Sequence, residues 1–417
     1  MKVLHVSFGG GIFDQIHSEL LQKGIDSQIL TLYKIAYEVE QSKVFAPSAF
    51  ARKKHHYQEA IENLARTYLY KVQKDVDFSY GYVGYDISQN ELVQSADIIH
   101  LNWTTRNWLS IANIGQLLRL HKPVVWTLHD VWGLTGGCHV LLNGCDKWQY
   151  SCGNCPFIRN GKRYKDLSFR IMNRKKHFLK NPNLSIAAPS TWMLQNAQKS
   201  PLFSNAKIYH IPNTLQAETA KPYSRTDVES GLAYNKENEI SVLFGTAGAL
   251  QRSYKGFHYI MEALKQIRDH FPETAEKLVI HTFGTNSIDD IVLPGYKVVN
   301  WGTLNGIRLF YLYNLADIYL YPSMADNLPA TVMESLACST PVVCFNTGGI
   351  TDMVKHKKNG YVAIQGNTSD FVNGILWTLA NNPDNVLGHY GCTFINENFS
   401  RSKVTDAHIR MYEDLLR

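Results

Sequence analysis

The sequence predicts an α/β protein of two doubly wound, Rossmann-like domains, and three observations carry that prediction. Its 417 residues are too many for one ordinary core and fit two of roughly 150–200 residues each. Short β-rich runs alternate with helical stretches from one end to the other, in two series. A polar stretch with few large apolar residues, 214–238, separates the series and reads as a linker.

The first series has strands near 3–8, 26–32, 96–103, 123–129, 184–190 and 207–213; the second near 239–247, 277–284, 296–302, 316–323 and 341–349. Runs such as ADIIHLNW and PVVWTLH are almost continuously apolar, as parallel strands covered on both faces must be. The expected division is a first domain over 1–213, the linker, a second domain over 239–394, and a terminal helix within 395–417 packing back toward the first domain. In open sheets of this kind ligands sit beyond the carboxyl ends of the strands, so chemistry is expected on those loops and in a central cleft that the domains face.

Composition narrows the class. Apolar residues make up 45% and charged ones 19%, the balance of a compact folded protein. No stretch approaches the ~20 apolar residues that cross a bilayer. The first apolar run is cut by Gly9, Gly10 and Gly11 and followed by Asp14, unlike a signal peptide. Seven cysteines, an odd number in a long chain, argue against a secreted disulfide framework, so the cytoplasm is the expected compartment.

Net charge is +6, yet residues 157–180 alone hold nine basic residues (Arg159, Lys162, Arg163, Lys165, Arg170, Arg174, Lys175, Lys176, Lys180) against Asp166. Such a run is either a solvated face or a contact for an anionic membrane surface, with Phe157, Tyr164, Phe169 and Phe178 interleaved. No nucleic-acid motif accompanies it, which argues against that partner.

The most informative stretch is YPSMADNLPATVMESLACSTPVVCFNTGG, 321–349. A strand ends at Pro322-Ser323, and Pro329 is placed for the first turn of a helix running to about Cys338. The free N–H groups of that helix start, around Leu328 to Thr331, form a natural site for a phosphate, which makes Asn327, Leu328 and Pro329 donor-binding candidates. Glu334, more than a turn inside, can accept two hydrogen bonds from a vicinal diol such as ribose. Asp326 lies in the loop where the hydroxyls of a bound sugar would be. Taken alone, these residues also fit an ordinary helix followed by a strand.

This passage resembles the nucleotide-sugar signature of glycosyltransferase family 4, whose members are retaining enzymes of the GT-B fold. Asp326-x7-Glu334, Ala337-Cys338-Ser339-Thr340-Pro341-Val342-Val343 and Gly348-Gly349 align without a gap, with Asp for the commoner Glu at the first acid and Ser339 for Gly. Gly9–Gly11 look like the family's first glycine loop, which places Gly10 and Gly11 at the donor. PSTWM (189–193), IPN (211–213) and Lys255-Gly256-Phe257 match further landmarks.

Cations before a helix start are electrostatically poor unless an anion joins them. Lys255 and Arg252 precede a helix expected from about Gly256 to His270, and a donor diphosphate would supply that anion. The family's Arg position is Ala249 here, so Arg252 is a substitute. His129, at the end of the 123–129 strand beside Asp130, is either a structural histidine or, as the resemblance implies, a residue facing the donor sugar. Cys138-x6-Cys145-x6-Cys152-x2-Cys155 is compatible with structural zinc or with reduced thiols in a Gly-rich loop.

The resemblance implies a retaining transferase with a nucleotide-sugar donor, no catalytic metal, and a glycan or polyprenyl-linked acceptor. Catalytic roles fall to His129, Lys255, Arg252 and Asp326. By the same analogy the setting is bacterial capsule, O-antigen or exopolysaccharide assembly, in the cytoplasm or at the inner face of the membrane. The alternatives are a GT-B epimerase and an inactive nucleotide-binding scaffold. Gly9–Gly11 lack the GxGxxG pattern that a nicotinamide enzyme would need.

Overall fold

The computed structural model of the chain describes residues 1–11, 13–35, 39–73, 76–142, 144–158, 165–215, 219–246, 252–284 and 293–417. The position read as Ala249, and Arg159, Lys162, Arg163 and Tyr164 of the basic run, lie outside them. The chain divides into two units, one of residues 1–214 with 401–417 and one of 215–400.

The first unit holds seven strands: β1 (Lys2–Ser7), β2 (Asp26–Thr31), β3 (Ser42–Val44), β4 (Ile98–Leu101), β5 (Val124–Thr127), β6 (Leu184–Ala188) and β7 (Lys207–His210). They form one parallel sheet in the order β3-β2-β1-β4-β5-β6-β7. Every residue of β4, β5 and β6 is buried, which accounts for their uninterrupted apolar character.

The second unit holds β8 (Ile240–Gly245), β9 (Leu278–Phe283), β10 (Lys297–Asn300), β11 (Ile318–Tyr321), β12 (Val342–Phe345) and β13 (Gly360–Ala363). Their order is β10-β9-β8-β11-β12-β13, again all parallel. In both sheets the strand order reverses beside the first strand, so each has a crevice at its β1/β4 or β8/β11 boundary.

Several sequence expectations differ from the structure. Strands β3 and β13 were not expected: β3 has three residues, all exposed, and β13 only four, with Gly360 and Ala363 buried, so neither carries a long apolar run. The stretch read as a linker includes a helix, Arg225–Leu232, capped by Ser224 and packed into the second unit by the buried Val228 and Leu232. Two apolar anchors in a polar segment leave little periodicity to read. The basic run is not a single solvated face. Within its helix, Leu167–Leu179, Lys175 is fully buried, and its Nζ donates to the carbonyls of Trp132 and Thr135. Phe157 is buried as well.

The last helix, Arg401–Leu416, belongs to the first unit, and the helix before it, Val386–Phe399, to the second. Val404, Met411 and Tyr412 share a cluster with Val3, Ile16, Leu20 and Ile98, and the Tyr412 hydroxyl lies 2.6 Å from His100 Nδ1. No helix among the described residues is long and apolar enough to cross a membrane.

Candidate functional site

In the second unit the loops after β8, β11, β12 and β13 meet at the strand-order reversal. Gly256 has φ +80, and a Cβ there would lie 2.0 Å from the Pro322 carbonyl oxygen, so only glycine lets the β8 and β11 loops touch. Met324 N–H donates to the Tyr254 carbonyl at 2.7 Å across this contact. The β12 loop closes in the same way: Gly348 has φ +52, with a hypothetical Cβ 1.6 Å from the Asp326 carbonyl oxygen. Gly349 N–H donates to the Asn327 carbonyl at 2.8 Å, and from the β13 side Gln365 Nε2 donates to the Met324 carbonyl at 2.8 Å. The first glycine of the signature's pair, Gly348, is thus a packing requirement.

This framework gathers Lys255, Asp326 and Glu334. Lys255 ends a short 3-10 turn, Ser253–Lys255, ahead of the helix Phe257–His270, and its Nζ lies 2.8 Å from Asp326 Oδ2. The same oxygen accepts from the Tyr321 hydroxyl at 2.5 Å, and Asp326 Oδ1 accepts from the Asn327 N–H at 2.9 Å. Burial works to lower the Lys255 pKa, but the Asp326 charge and hydrogen bond raise it above its usual value. Arg252 stands near enough for its charge to act against Lys255.

This arrangement corrects one expectation. Lys255 is not an uncompensated cation awaiting a diphosphate, because Asp326, 71 residues away in sequence, already supplies a negative charge. Asp326 in turn has both carboxylate oxygens engaged within the protein.

The helix after this loop runs Ala330–Ala337, with Pro329 at its N-cap position, one residue outside the turn expected. The Asn327 and Leu328 side chains are buried. Glu334, on the second turn, is buried and accepts from the Tyr313 hydroxyl at 3.3 Å. Burial lifts its carboxyl to about 7, with the Tyr313 bond opposing. Tyr313 and Tyr321 went unnoticed in the sequence, since each acts through a contact between separate elements.

In the first unit the loops after β1, β4 and β5 lie at the corresponding crevice. Gly11 N–H donates to Asp14 Oδ2 at 2.9 Å, and a Cβ on Gly10 would meet Ile35 Cγ2 at 2.8 Å. His129 follows β5, its Nε2 lying 3.4 Å from Asn102 Oδ1 of the β4 loop. A small cavity there is lined by Asn102, Trp103, Thr104, Trp126, His129 and Asp130 among others. Burial lowers the His129 pKa to about 4, against the pull of Asp130, so the imidazole is neutral near pH 7. It is suited to hydrogen bonding rather than to proton removal.

Asp130 is used differently. Its Oδ1 accepts from Trp132 N–H at 2.7 Å, its Oδ2 lies 2.7 Å from His139 Nδ1, and His139 Nε2 lies 2.8 Å from Ser79 Oγ. Burial tends to raise the Asp130 pKa, and the charge and bond from His139 more than reverse this. The chain of contacts fastens the β5 loop behind His129. Cys138, Cys145, Cys152 and Cys155 are all reduced and line one separate cavity. Among the described residues no three His, Cys, Asp or Glu side chains already stand as a metal-holding group.

Residues 241–381 match the family described as Glycosyl transferases group 1. An uncharacterized glycosyltransferase of Haemophilus influenzae is 32% identical over 138 residues, 32% of this chain and 38% of that one. The chain therefore spans well under half the length of that relative. The putative colanic acid biosynthesis glycosyl transferase WcaC of Escherichia coli is 22% identical over 353 residues, 83% of this chain and 82% of that one. Among solved structures, sucrose-phosphate synthase of Thermosynechococcus elongatus superposes with TM-score 0.64 at 15% identity, covering 100% and 99% of the two chains. HepE of Anabaena, solved with UDP, gives 0.62 at 15% identity over 99% and 100%. Those likenesses establish two parallel-sheet domains of the GT-B fold. Residues 241–381 thus carry the domain described as Glycosyl transferases group 1, and the relatives matched along the chain are named glycosyltransferases.

Proposed function

We propose that the chain is a retaining glycosyltransferase that moves a sugar from a nucleoside-diphosphate donor to a glycan or lipid-linked acceptor in surface-polysaccharide assembly. One observation carries the reading: Lys255, Arg252, the N-terminus of the helix Ala330–Ala337 and the buried Glu334 are assembled on the loops at the β8/β11 boundary. Glu334 would accept from the ribose diol. Lys255 and Arg252, with the helix N-terminus, would hold the diphosphate and stabilise the charge that grows on it as the glycosidic bond breaks. Within the first unit, neutral His129 would hydrogen-bond a sugar hydroxyl at the carboxyl end of β5, with Gly10 and Gly11 on the β1 loop. The HepE structures with UDP and with UDP-glucose support the donor class, and the colanic acid name of WcaC supports the setting.

A panel of nucleotide sugars tests this without an acceptor. Slow release of free sugar and nucleoside diphosphate from one donor is the expected result, whereas conversion of a donor to its epimer alone would establish the epimerase instead. Once an acceptor is found, the anomeric configuration of the product tests retention.

A peripheral membrane position is the second part of the proposal, and it rests on one exposed helix face. No residue of the helix Ala49–Leu64 is buried. Its exposed Phe50, Tyr57, Ile61 and Leu64 fall within about 60° of one another at 100° per residue, and Lys53 and Lys54 flank them. An apolar stripe edged by lysines suits an interface rich in anionic lipid. The protein is expected to bind anionic vesicles and to lose part of that binding as salt rises. Ile61→Asp should reduce binding to both anionic and neutral vesicles, and vesicle affinity unchanged in that variant would remove the helix from the interface.

A further inference from the structure

The loop after β5 carries four of the seven cysteines, and the transfer chemistry uses none of them. Three features of this loop point to a ligand. All four cysteines line one small cavity, whose wall also includes Phe78, Trp148 and Ser168. The Cys152-Gly153-Asn154-Cys155 turn takes φ of +53, +107 and +47 over its first three residues, and two of these are not glycine. Left-handed backbone at Cys and Asn is held only where its surroundings fix it. Here Gly153 N–H donates to Ser168 Oγ at 2.9 Å, Cys155 N–H to Asp166 Oδ2 at 2.7 Å, and Gly136 N–H to Cys152 Sγ at 3.2 Å.

The third feature is charge. Lys175 is fully buried, and the acceptors of its Nζ are the neutral carbonyls of Trp132 and Thr135. A cation taken out of water needs a counter-charge. Its Nζ faces the Trp132 ring at 3.9 Å from the centroid, and Asp130, Cys138 and Cys152 lie close enough to interact with it electrostatically. Four thiolates around a divalent ion carry two net negative charges, which would add to the one that Asp130 offers.

We propose that Cys138, Cys145, Cys152 and Cys155 bind one structural zinc ion at this cavity. The ion takes the place of four thiol protons, which pass to solvent, and no redox step is involved. Because the thiols ring the cavity without yet forming a metal-holding group, binding turns them inward and tightens the loop. Spacings of six residues allow this, since Cys138 is joined to the fold by a bridge to Phe78 and Cys152–Cys155 by Ser168 and Asp166. The same loop carries His139, so metal binding would hold the Ser79–His139–Asp130 chain in place beside His129.

The test uses the full chain, purified under reducing conditions without chelators. About one zinc per chain is expected. Cobalt added to chelated, reduced protein should give the thiolate charge-transfer and intense visible bands of a tetrahedral sulfur site. The melting temperature should fall on chelation and return with zinc. Cys152→Ser/Cys155→Ser should abolish the cobalt spectrum, while Cys392→Ser, outside the cavity, should keep it. If the double variant does not fold, the cobalt titration of the wild-type chain decides alone. No zinc together with no tetrahedral cobalt bands overturns the proposal, as does a disulfide among the four in the purified protein or zinc retained by a folded double variant.

Discussion

Lys255→Ala is expected to lower the saturated transfer rate by on the order of 10²–10³, the scale seen when one preorganised electrostatic group is removed from a developing charge. The Lys255 ammonium stands 2.8 Å from Asp326, so its position is fixed by the protein itself. A donor diphosphate would compete with Asp326 for it, and the competition grows more favourable as the leaving group gains charge. The same pairing makes the mutation a structural event. Removing the lysine leaves Asp326 a partly buried carboxylate held by Tyr321 and the Asn327 N–H. With both side chains a fifth to a quarter exposed, the cost falls between that of a surface pair and a buried one, about 1–2 kcal/mol. Asp326→Asn added to Lys255→Ala should recover most of that stability and none of the turnover. Transfer at the wild-type rate by the folded single variant would rule out the phosphate role.

Glu334→Gln should weaken donor binding by about 1.5–3 kcal/mol, because an amide accepts more weakly than a carboxylate from two hydroxyls. Its pH signature separates this from a packing defect. The Glu334 carboxyl sits at about 7 in the fold, against an ordinary 4.5. The unfolded chain therefore gives up this proton first. Stability falls as pH rises from about 4.5 to 7, by up to about 3 kcal/mol, and stays reduced above. Glutamine escapes that penalty, so the variant should melt higher than the wild type at pH 8 and nearer to it at pH 5. Donor binding has the opposite dependence. Ribose hydroxyls favour the anion, so affinity should weaken as pH falls below 7, by up to tenfold per unit, and the variant should lack this slope. Calorimetry between pH 6 and 8 measures both slopes. Equal donor affinity and equal slope in the two proteins would place Glu334 outside the site.

What could be read from the sequence was whatever depends on neighbours along the chain. Runs like IIHL and VVWT announce buried parallel strands because both faces must be apolar, and the glycines at 256 and 348 mark turns that tolerate no side chain. The strand order, by contrast, arises from crossovers that a local pattern does not encode. β3 and β13 are too short to register, and Arg225–Leu232 hides in polar composition behind two apolar residues. The candidate site follows the same division. Lys255, Asp326 and Glu334 were each visible, but the ion pair between the first two and the burial that lifts the third are products of tertiary structure. Lys175 shows the limit most plainly: nothing in a run of basic residues distinguishes the one that points into the core.

The return of the last helix to the first unit sets an order of events during synthesis. Val3, Ile98 and His100 belong to strands made early, yet the residues that cover them, Val404, Met411 and Tyr412, emerge only after the whole of the second unit. At ribosomal speeds of about 5–20 residues per second that delay is on the order of 15–60 s. The second unit, continuous from 215 to 400, can close on itself first, while the earlier-made half waits with an apolar face open. This reverses the usual N-terminal-first sequence and exposes the nascent chain to chaperones over that interval. A ribosome stalled near residue 400 should therefore carry a protease-resistant second unit and a first unit that is still cut.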